Sequence, residues 1–213
     1  RDEGLVIVNV ATLFDGNPEN NFLKRDVTFN PDGKLTGARA AYVAGTQLYV
    51  VAAGGLYTVD ISDPLQPKLT AELAGFQNPR AIAVQFRYAF ISDDTGVKVV
   101  RLDDRQIVAT IPLAHAGRLY AARTYLYVPN GPAGLAIVDI TNPEKPRLDQ
   151  EFRELTDCRA VQIGSVNASM FALVADGKNG FKVVQLSDEF NLGSLDLSRA
   201  LARRGIRVVN SAH

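Results

Sequence analysis

The chain has 213 residues, 46% of them hydrophobic, enough to bury a substantial core. Lys and Arg number 23 and Asp and Glu 23, so the formal net charge is zero, and whole-molecule attraction to nucleic acid or anionic lipid is excluded as a basis for function. One cysteine, Cys158, and two histidines, His115 and His213, exclude an internal disulfide, a CxxC redox pair, c-type haem attachment and a Cys- or His-rich zinc site.

No cofactor and no metal are therefore expected. The longest apolar runs, such as Leu48 to Ala53, fall far short of the roughly 20 residues of a bilayer span, so no membrane insertion is expected either. The chain opens at Arg1-Asp2-Glu3, with no initiator Met, basic segment or apolar leader, as expected of a processed or excised piece.

In chain order the dominant signal is a repeat. Gly4, Gly55, Gly96, Gly134 and Gly180 each open an apolar, β-rich heptad, at spacings of 51, 41, 38 and 46 residues. Those spacings match one four-stranded β-propeller blade. The first heptad, to Val10, is followed by a stretch rich in Gly, Pro, Asn and Asp around Asp15-Gly16-Asn17-Pro18, which reads as an inserted surface loop. The second unit shows the pattern in full. A strand over residues 56–61 stops at Asp63-Pro64-Leu65-Gln66-Pro67, because proline cannot donate to a ladder. Residues 68–73 alternate polar and apolar, as a half-exposed outer strand does. Two short strands then follow over residues 80–84 and 88–91.

Lettering the strands A to D from the inside out makes each glycine-led strand C. The chain then begins with a C–D pair, continues through four A–B–C–D sets, and ends near Ile206 to Val209 with one more A strand. Helical periodicity is confined to residues 197–204 after Asp196. The fold class is all-β: a propeller of four-stranded antiparallel blades, either about five blades or an arc of a larger propeller, forming a single domain over residues 1–213.

The unit from Gly134 to Pro146, with its Leu-Ala-Ile-Val-Asp core and Asn142-Pro143 turn, resembles the LVIVD-repeat family, as does Leu5-Val6-Ile7-Val8-Asn9. The resemblance covers roughly residues 4–190 and departs at Asn9, Arg101 and Gln185, where the pattern has Asp. It implies an extracytoplasmic β-propeller, periplasmic or at the cell surface, often part of a larger surface protein, with no shared catalytic motif.

Candidate chemistry is sparse. No Ser/His/Asp, Cys/His or paired-carboxylate spacing and no phosphate loop is present. Cys158 reads as an inert strand thiol, and Asn167-Ala168-Ser169 as an incidental glycosylation pattern. Asp93-Asp94-Thr95-Gly96 and Asp176-Gly177-Lys178-Asn179 lack the spaced oxygens of a calcium loop and read as tight B–C turns. Asp60 and Asp139 read as caps of the proline turns. His115, in the D-to-A connection, is a candidate ligand contact.

One constellation stands out. Arg39, Arg80, Arg118, Arg159 and Arg204 recur at spacings of 41, 38, 41 and 45, each at the start of an A strand. In an A–B hairpin the start of A faces the end of B. That register sets Arg80 against Asp93 and Arg159 against Asp176 as structural pairs, and leaves Arg39 and Arg118 facing Ala52 and Asn130. Arg39, Arg118 and Arg204 are then candidates for an anion or an acidic partner. The first functional expectation is a non-catalytic module for protein–protein interaction or scaffolding in an extracytoplasmic assembly. The alternatives are an arginine-lined funnel, enzymatic or ligand-binding, for an anionic ligand, and a docking domain of a surface redox protein. Val59, Ile82, Ile91, Val99, Val138, Val161, Val174 and Val183 are expected in the core.

Overall fold

The computed structural model describes residues 2–166, 169–187 and 207–212. Strands β1 (Leu5–Asn9) and β2 (Lys24–Phe29) form a two-stranded ribbon. Four antiparallel four-stranded sheets follow. The first holds β3 (Ala40–Ala44), β4 (Gln47–Ala52), β5 (Gly55–Asp60) and β6 (Lys68–Leu73); the second holds β7 (Ala81–Gln85), β8 (Tyr88–Asp93), β9 (Gly96–Arg101) and β10 (Gln106–Pro112). The third holds β11 (Tyr120–Ala122), β12 (Tyr125–Pro129), β13 (Leu135–Asp139) and β14 (Arg147–Phe152), and the fourth β15 (Ala160–Val166), β16 (Ser169–Ala175), β17 (Phe181–Ser187) and β18 (Arg207–Ala212). Each is a meander in sequence order. The chain forms two compact units, residues 1–82 and 83–213, with β7 straddling the boundary.

The repeated glycines open their strands for a packing reason. A Cβ on Gly55, Gly96 or Gly134 would sit 2.2, 2.1 or 2.0 Å from the carbonyl oxygen of Leu73, Ile111 or Phe152 at the end of strand D, and each glycine holds a positive φ. Only a residue without Cβ lets the outer strand cross so close. A bulge follows in each C–D pair, as at Thr58/Val59, Ile137/Val138 and Val183/Val184, and coils the outer strand away.

Beyond the bulge, Asp60 and Asp139 accept hydrogen bonds from the Ser62 and Thr141 N–H groups, so the aspartates do cap the proline turns. Arg101 stands where the repeat has Asp. It instead donates to Asp104 and to Glu144, which also accepts from the Tyr88 hydroxyl.

In the first unit, Leu35, Leu48, Val50, Ala52, Tyr57 and Val59 form the core, with Leu5 and Phe29 of the ribbon leaning on it. The second unit has two apolar layers, one around Phe90, Val99, Leu126 and Val138, the other around Tyr127, Ile137, Leu155, Val174 and Val184. Of the expected core residues, Val59, Ile82, Ile91, Val99, Val138, Val161 and Val174 are buried. Val183 is not: it is half-buried, while Val184 is fully covered. Val184, like Val59 and Val138, stands fourth after the repeat glycine, whereas Val183 stands third.

A second correction concerns the C-terminal strand. Arg207–Ala212 pairs antiparallel with β17, so it is the D strand of the fourth sheet and not a further A strand. The chain returns after a long insertion to complete the sheet it left. The helix expected over residues 197–204 lies outside the described residues.

Candidate functional site

The candidate residues gather at the end of each sheet where strand A begins and the B–C turn closes. The A–B register is conserved between units: Ala40 pairs with Val51 and Ala160 with Ala175, which sets Arg39 across from Ala52 and Arg159 across from Asp176. The N–H groups of Arg39 and Arg159 donate to the Val51 and Ala175 carbonyls at 2.9 Å each.

In the third sheet the phase shifts. Tyr120 pairs with Tyr127, and the equivalent bond, to the Pro129 carbonyl, comes from Gly117. Arg118 therefore sits one residue later, facing Pro129 and not Asn130. The cause is steric: a Cβ on Gly117 would lie 2.6 Å from the Arg159 carbonyl. The close approach lets Arg118 N–H donate to the Arg159 carbonyl and Arg118 C=O accept from Val161, in a parallel bridge between strands A of the third and fourth sheets. Arg118 is thus one residue out of phase with Arg39 and Arg159, and Arg204 lies outside the described residues.

The expected Arg159–Asp176 pair also needs correcting. Arg159 donates through Nε and Nη2 to the two carboxylate oxygens of Asp157, 2.9 Å each, with its side chain 66% exposed. Asp176 is turned inward and 1% exposed. It accepts from the Asp157 N–H at 2.8 Å and from the Asn179 side chain at 2.9 Å, clamping the D-to-A linker to the B–C turn. A buried carboxylate needs such donors, and two come from the linker and turn themselves. The Arg159 hydrogen bond, then the Lys178 N–H, hold the Asp157 carboxyl below its usual pKa.

Asn130, 5% exposed, does the same work in the third sheet, accepting from the His115 N–H at 2.9 Å. His115 thus serves this joint through its backbone. Its side chain lies over the turn, where a Cβ on Gly131 would come 2.9 Å from its own Cβ.

In the second sheet Asp93 is fully buried and accepts from the Thr95 N–H and hydroxyl. Arg80 is half-buried and engaged. Arg39 has no acid at the end of its B strand and reaches Asn78 Oδ1 and the Pro79 carbonyl in the next linker. Cys158 is buried between these joints, where desolvation first and the Asp176 charge second push its thiol up to about 12.

Asp157 and Asn78, which complete these joints, were not singled out in the sequence, and Asn130 was named there only as the residue facing Arg118. Their only signal there is position, two residues before Arg159 and Arg80 or at the end of a B strand. Among the described residues no group of three or more His, Cys, Asp or Glu side chains could hold a metal ion, and no helix is long and apolar enough to cross a membrane.

The inserted loop of residues 10–23 is different in kind. Asn9, Asp15 and Asn17 accept from the N–H groups of Ala11, Asn17 and Glu19, and Asp15 also accepts from the Asn20 side chain. The Thr12 hydroxyl donates to the Phe22 carbonyl. On this tied-down backbone Phe14 is 82% exposed and Phe22 63%, with Leu23, Val10 and Leu13 also in water.

Comparison with known proteins supports the class that this geometry defines. Residues 38–73 and 115–153 match the LVIVD repeat family model, so LVIVD repeats build the first and third four-stranded sheets. The crystal structure of the computationally designed Ika8 protein matches with a TM-score of 0.58 at 18% identity, over 76% of this chain and 49% of that one. Dihydro-heme d1 dehydrogenase NirN in complex with DHE matches at 0.54 and 20% identity, over 72% and 35%. The designed Ika4 protein matches at 0.51 and 18%, over 68% and 89%. The chain spans about half the length of Ika8 and about a third of NirN, and the likeness is of fold alone. No curated protein matches the sequence. The chain is a β-propeller module carrying LVIVD repeats.

Proposed function

We propose that this module is non-catalytic and serves protein–protein interaction or scaffolding in an extracytoplasmic or cell-surface assembly. The observation that carries the reading is the contrast between its polar and apolar surfaces. Asp93, Asn130, Asp157, Asp176, Arg39 and Arg159 are engaged with backbone and with one another. The loop of residues 10–23 instead fixes Phe14, Phe22 and Leu23 in water.

Each such side chain would gain about 1.5–3 kcal/mol on full burial, and a loop already ordered loses little entropy on docking. Aromatic anchors on a preformed loop suit a protein partner. The extracytoplasmic placement is supported by the LVIVD resemblance.

The test is to fractionate the native cells and follow the protein and its Phe14→Ser/Phe22→Ser variant by native gel. The expected result is wild type in a large extracytoplasmic complex, and the variant released from it with unchanged circular dichroism. A wild type that runs alone, or a variant that stays in the complex, would overturn the proposal. Retention on a polyanion column that is lost in Arg39→Ala/Arg118→Ala would favour an anionic ligand instead.

A further inference from the structure

Each of the first three sheets turns twice at the end away from the start of strand A, once between strands A and B and once between C and D. At the A–B turn the first sheet places Gly45 at φ +62, the second Phe86 at +54 and the third Arg123 at +55. Glycine is the residue such a corner favours, since a side chain there crowds its own backbone. Arg105, in the C–D turn of the second sheet, stands at φ +58. Among the described residues two other non-glycines hold a positive φ, Asp32 and Asn78, both of types that tolerate it. The three that do not tolerate it share one end of the second and third sheets, and all three are exposed, Phe86 at 78%. Strain that glycine would relieve is kept where the side chain has a use.

Hydrogen bonds join these turns into one face. Gln85 Nε2 donates to the Arg123 carbonyl at 3.2 Å and so binds the two A–B turns together. Glu144, in the C–D turn of the third sheet, accepts from Tyr88 and Arg101 of the second at 2.9 Å each. All eight strands of the two sheets, β7 to β14, are described, so this face is not the edge of an unfinished sheet.

The four turns, residues 86–87, 101–105, 123–124 and 139–147, hold six cations against four carboxylates. The carboxylates are matched: Asp103 by Arg87, Asp104 and Glu144 by Arg101, and Asp139 by Arg147. The excess positive charge falls to Arg105, Arg123 and Lys145. A cavity of about 350 Å³, lined by Lys145 and Arg147 together with Asp139, Thr141 and Asn142, opens at the same end. The corresponding turns of the first sheet, residues 45–46 and 60–68, hold one lysine against two aspartates and no aromatic residue. The feature therefore belongs to the second and third sheets and not to the repeat as such.

We propose that this face docks an acidic segment of a partner protein, with an apolar side chain of that segment on Phe86 and its carboxylates on Arg105, Arg123 and Lys145. Aromatic and arginine side chains are what the cores of protein interfaces concentrate, and a guanidinium meets a carboxylate through two parallel hydrogen bonds. The turns are already tied to one another, so little order is lost on docking. Nucleic acid calls for a broad basic stripe, whereas half of the cations here are engaged by the protein's own carboxylates. The inference rests on the reading of the chain as a protein-binding module and gives it a second surface, with the charge of its partner.

The experiment selects twelve-residue peptides from a random phage library on the purified chain and measures their binding to wild type and variants by fluorescence anisotropy. Expected are peptides of net negative charge around an apolar residue, weakened at least about tenfold in Phe86→Gly and in Arg105→Ser/Arg123→Ser but unchanged in Phe14→Ser/Phe22→Ser. Their affinity should fall as salt rises. Phe86→Gly should also raise the urea midpoint, because it relieves the left-handed corner as Gly45 does in the first sheet. A lowered midpoint would make Phe86 a structural residue and overturn the proposal. Selection of neutral or basic peptides, no peptide binding below about 1 mM, or equal binding to wild type and to the Phe86 and arginine variants overturns it as well. So does a ten-residue oligo-dT that binds this face more tightly than the selected peptides, since the partner is then a nucleic acid. Peptides lost only in Phe14→Ser/Phe22→Ser overturn it while leaving the role of the loop intact, so the two readings fail separately.

Discussion

The hairpin of β3 and β4 and the hairpin of β15 and β16 have the same register and the same leading arginine, yet hold that arginine in opposite ways. In the fourth sheet the end of strand B is Asp176, and its buried carboxylate binds the linker N–H of Asp157; Arg159 is left outside, on an exposed carboxylate. In the first sheet the end of strand B is Ala52, whose side chain can accept nothing, and Arg39 reaches instead to the linker that leaves the sheet, at Asn78 and Pro79. The two sheets thus tie different linkers: Asp176 holds the linker that enters its own sheet to the B–C turn, whereas Arg39 holds the start of strand A to the linker that leaves for the second sheet. Arg159, expected to pair with Asp176, pairs with Asp157, and Arg39, expected to face Ala52, is held by Asn78 and Pro79.

The largest effect that bears on this comparison comes from the turn geometry common to both. Gly134→Val places a side chain against the Phe152 carbonyl at a positive φ and should cost more than about 3 kcal/mol or prevent folding, read as the urea midpoint. Gly164→Ala, with nothing within 4 Å, should stay within about 1 kcal/mol.

Asp176→Ala strands the Asp157 N–H and the Asn179 amide, a loss of about 2–3 kcal/mol by chemical denaturation. Asp176→Asn should recover most of it, because Asn130 already fills that place in the third sheet. Equal losses in the two variants would mean that charge, and not acceptance of the linker N–H, is what the joint needs.

Arg39→Ala should cost about 0.5–1 kcal/mol in the same assay, and Arg159→Ala, whose exposed pair with Asp157 contributes through the Asp157 titration alone, should cost less. A larger loss for Arg159 than for Arg39 would break the comparison. The smallest effect is in titration. The Asp157 carboxyl is depressed in the folded state, first by Arg159 and then by the Lys178 N–H. Its contribution to stability is thus fully present above the unfolded value near pH 4 and is lost as pH falls through the lower folded value. Arg159→Ala should bring the Asp157 pKa up toward the unfolded value, measured by carboxyl NMR, and flatten the acid side of the stability curve. An unchanged pKa would show that the backbone donor alone depresses it.

The sequence by itself determined the all-β class, the glycine-led C strands, the proline turns with their Asp60 and Asp139 caps, and the A–B register of the first and fourth sheets. These are local consequences of glycine, proline and period-two patterning, readable wherever the chain repeats itself. Tertiary structure decided the rest. Gly117 takes the arginine position because the Arg159 carbonyl of the neighbouring strand leaves no room for a Cβ, a contact between residues 42 apart in the chain. Arg207–Ala212 completes the fourth sheet, an outcome set by the open edge of β17 and not by the arginine spacing that suggested a new A strand. Asp176 and Arg159 face each other in register but part in space, because a carboxylate removed from water binds the nearest backbone donors while a long guanidinium keeps to solvent.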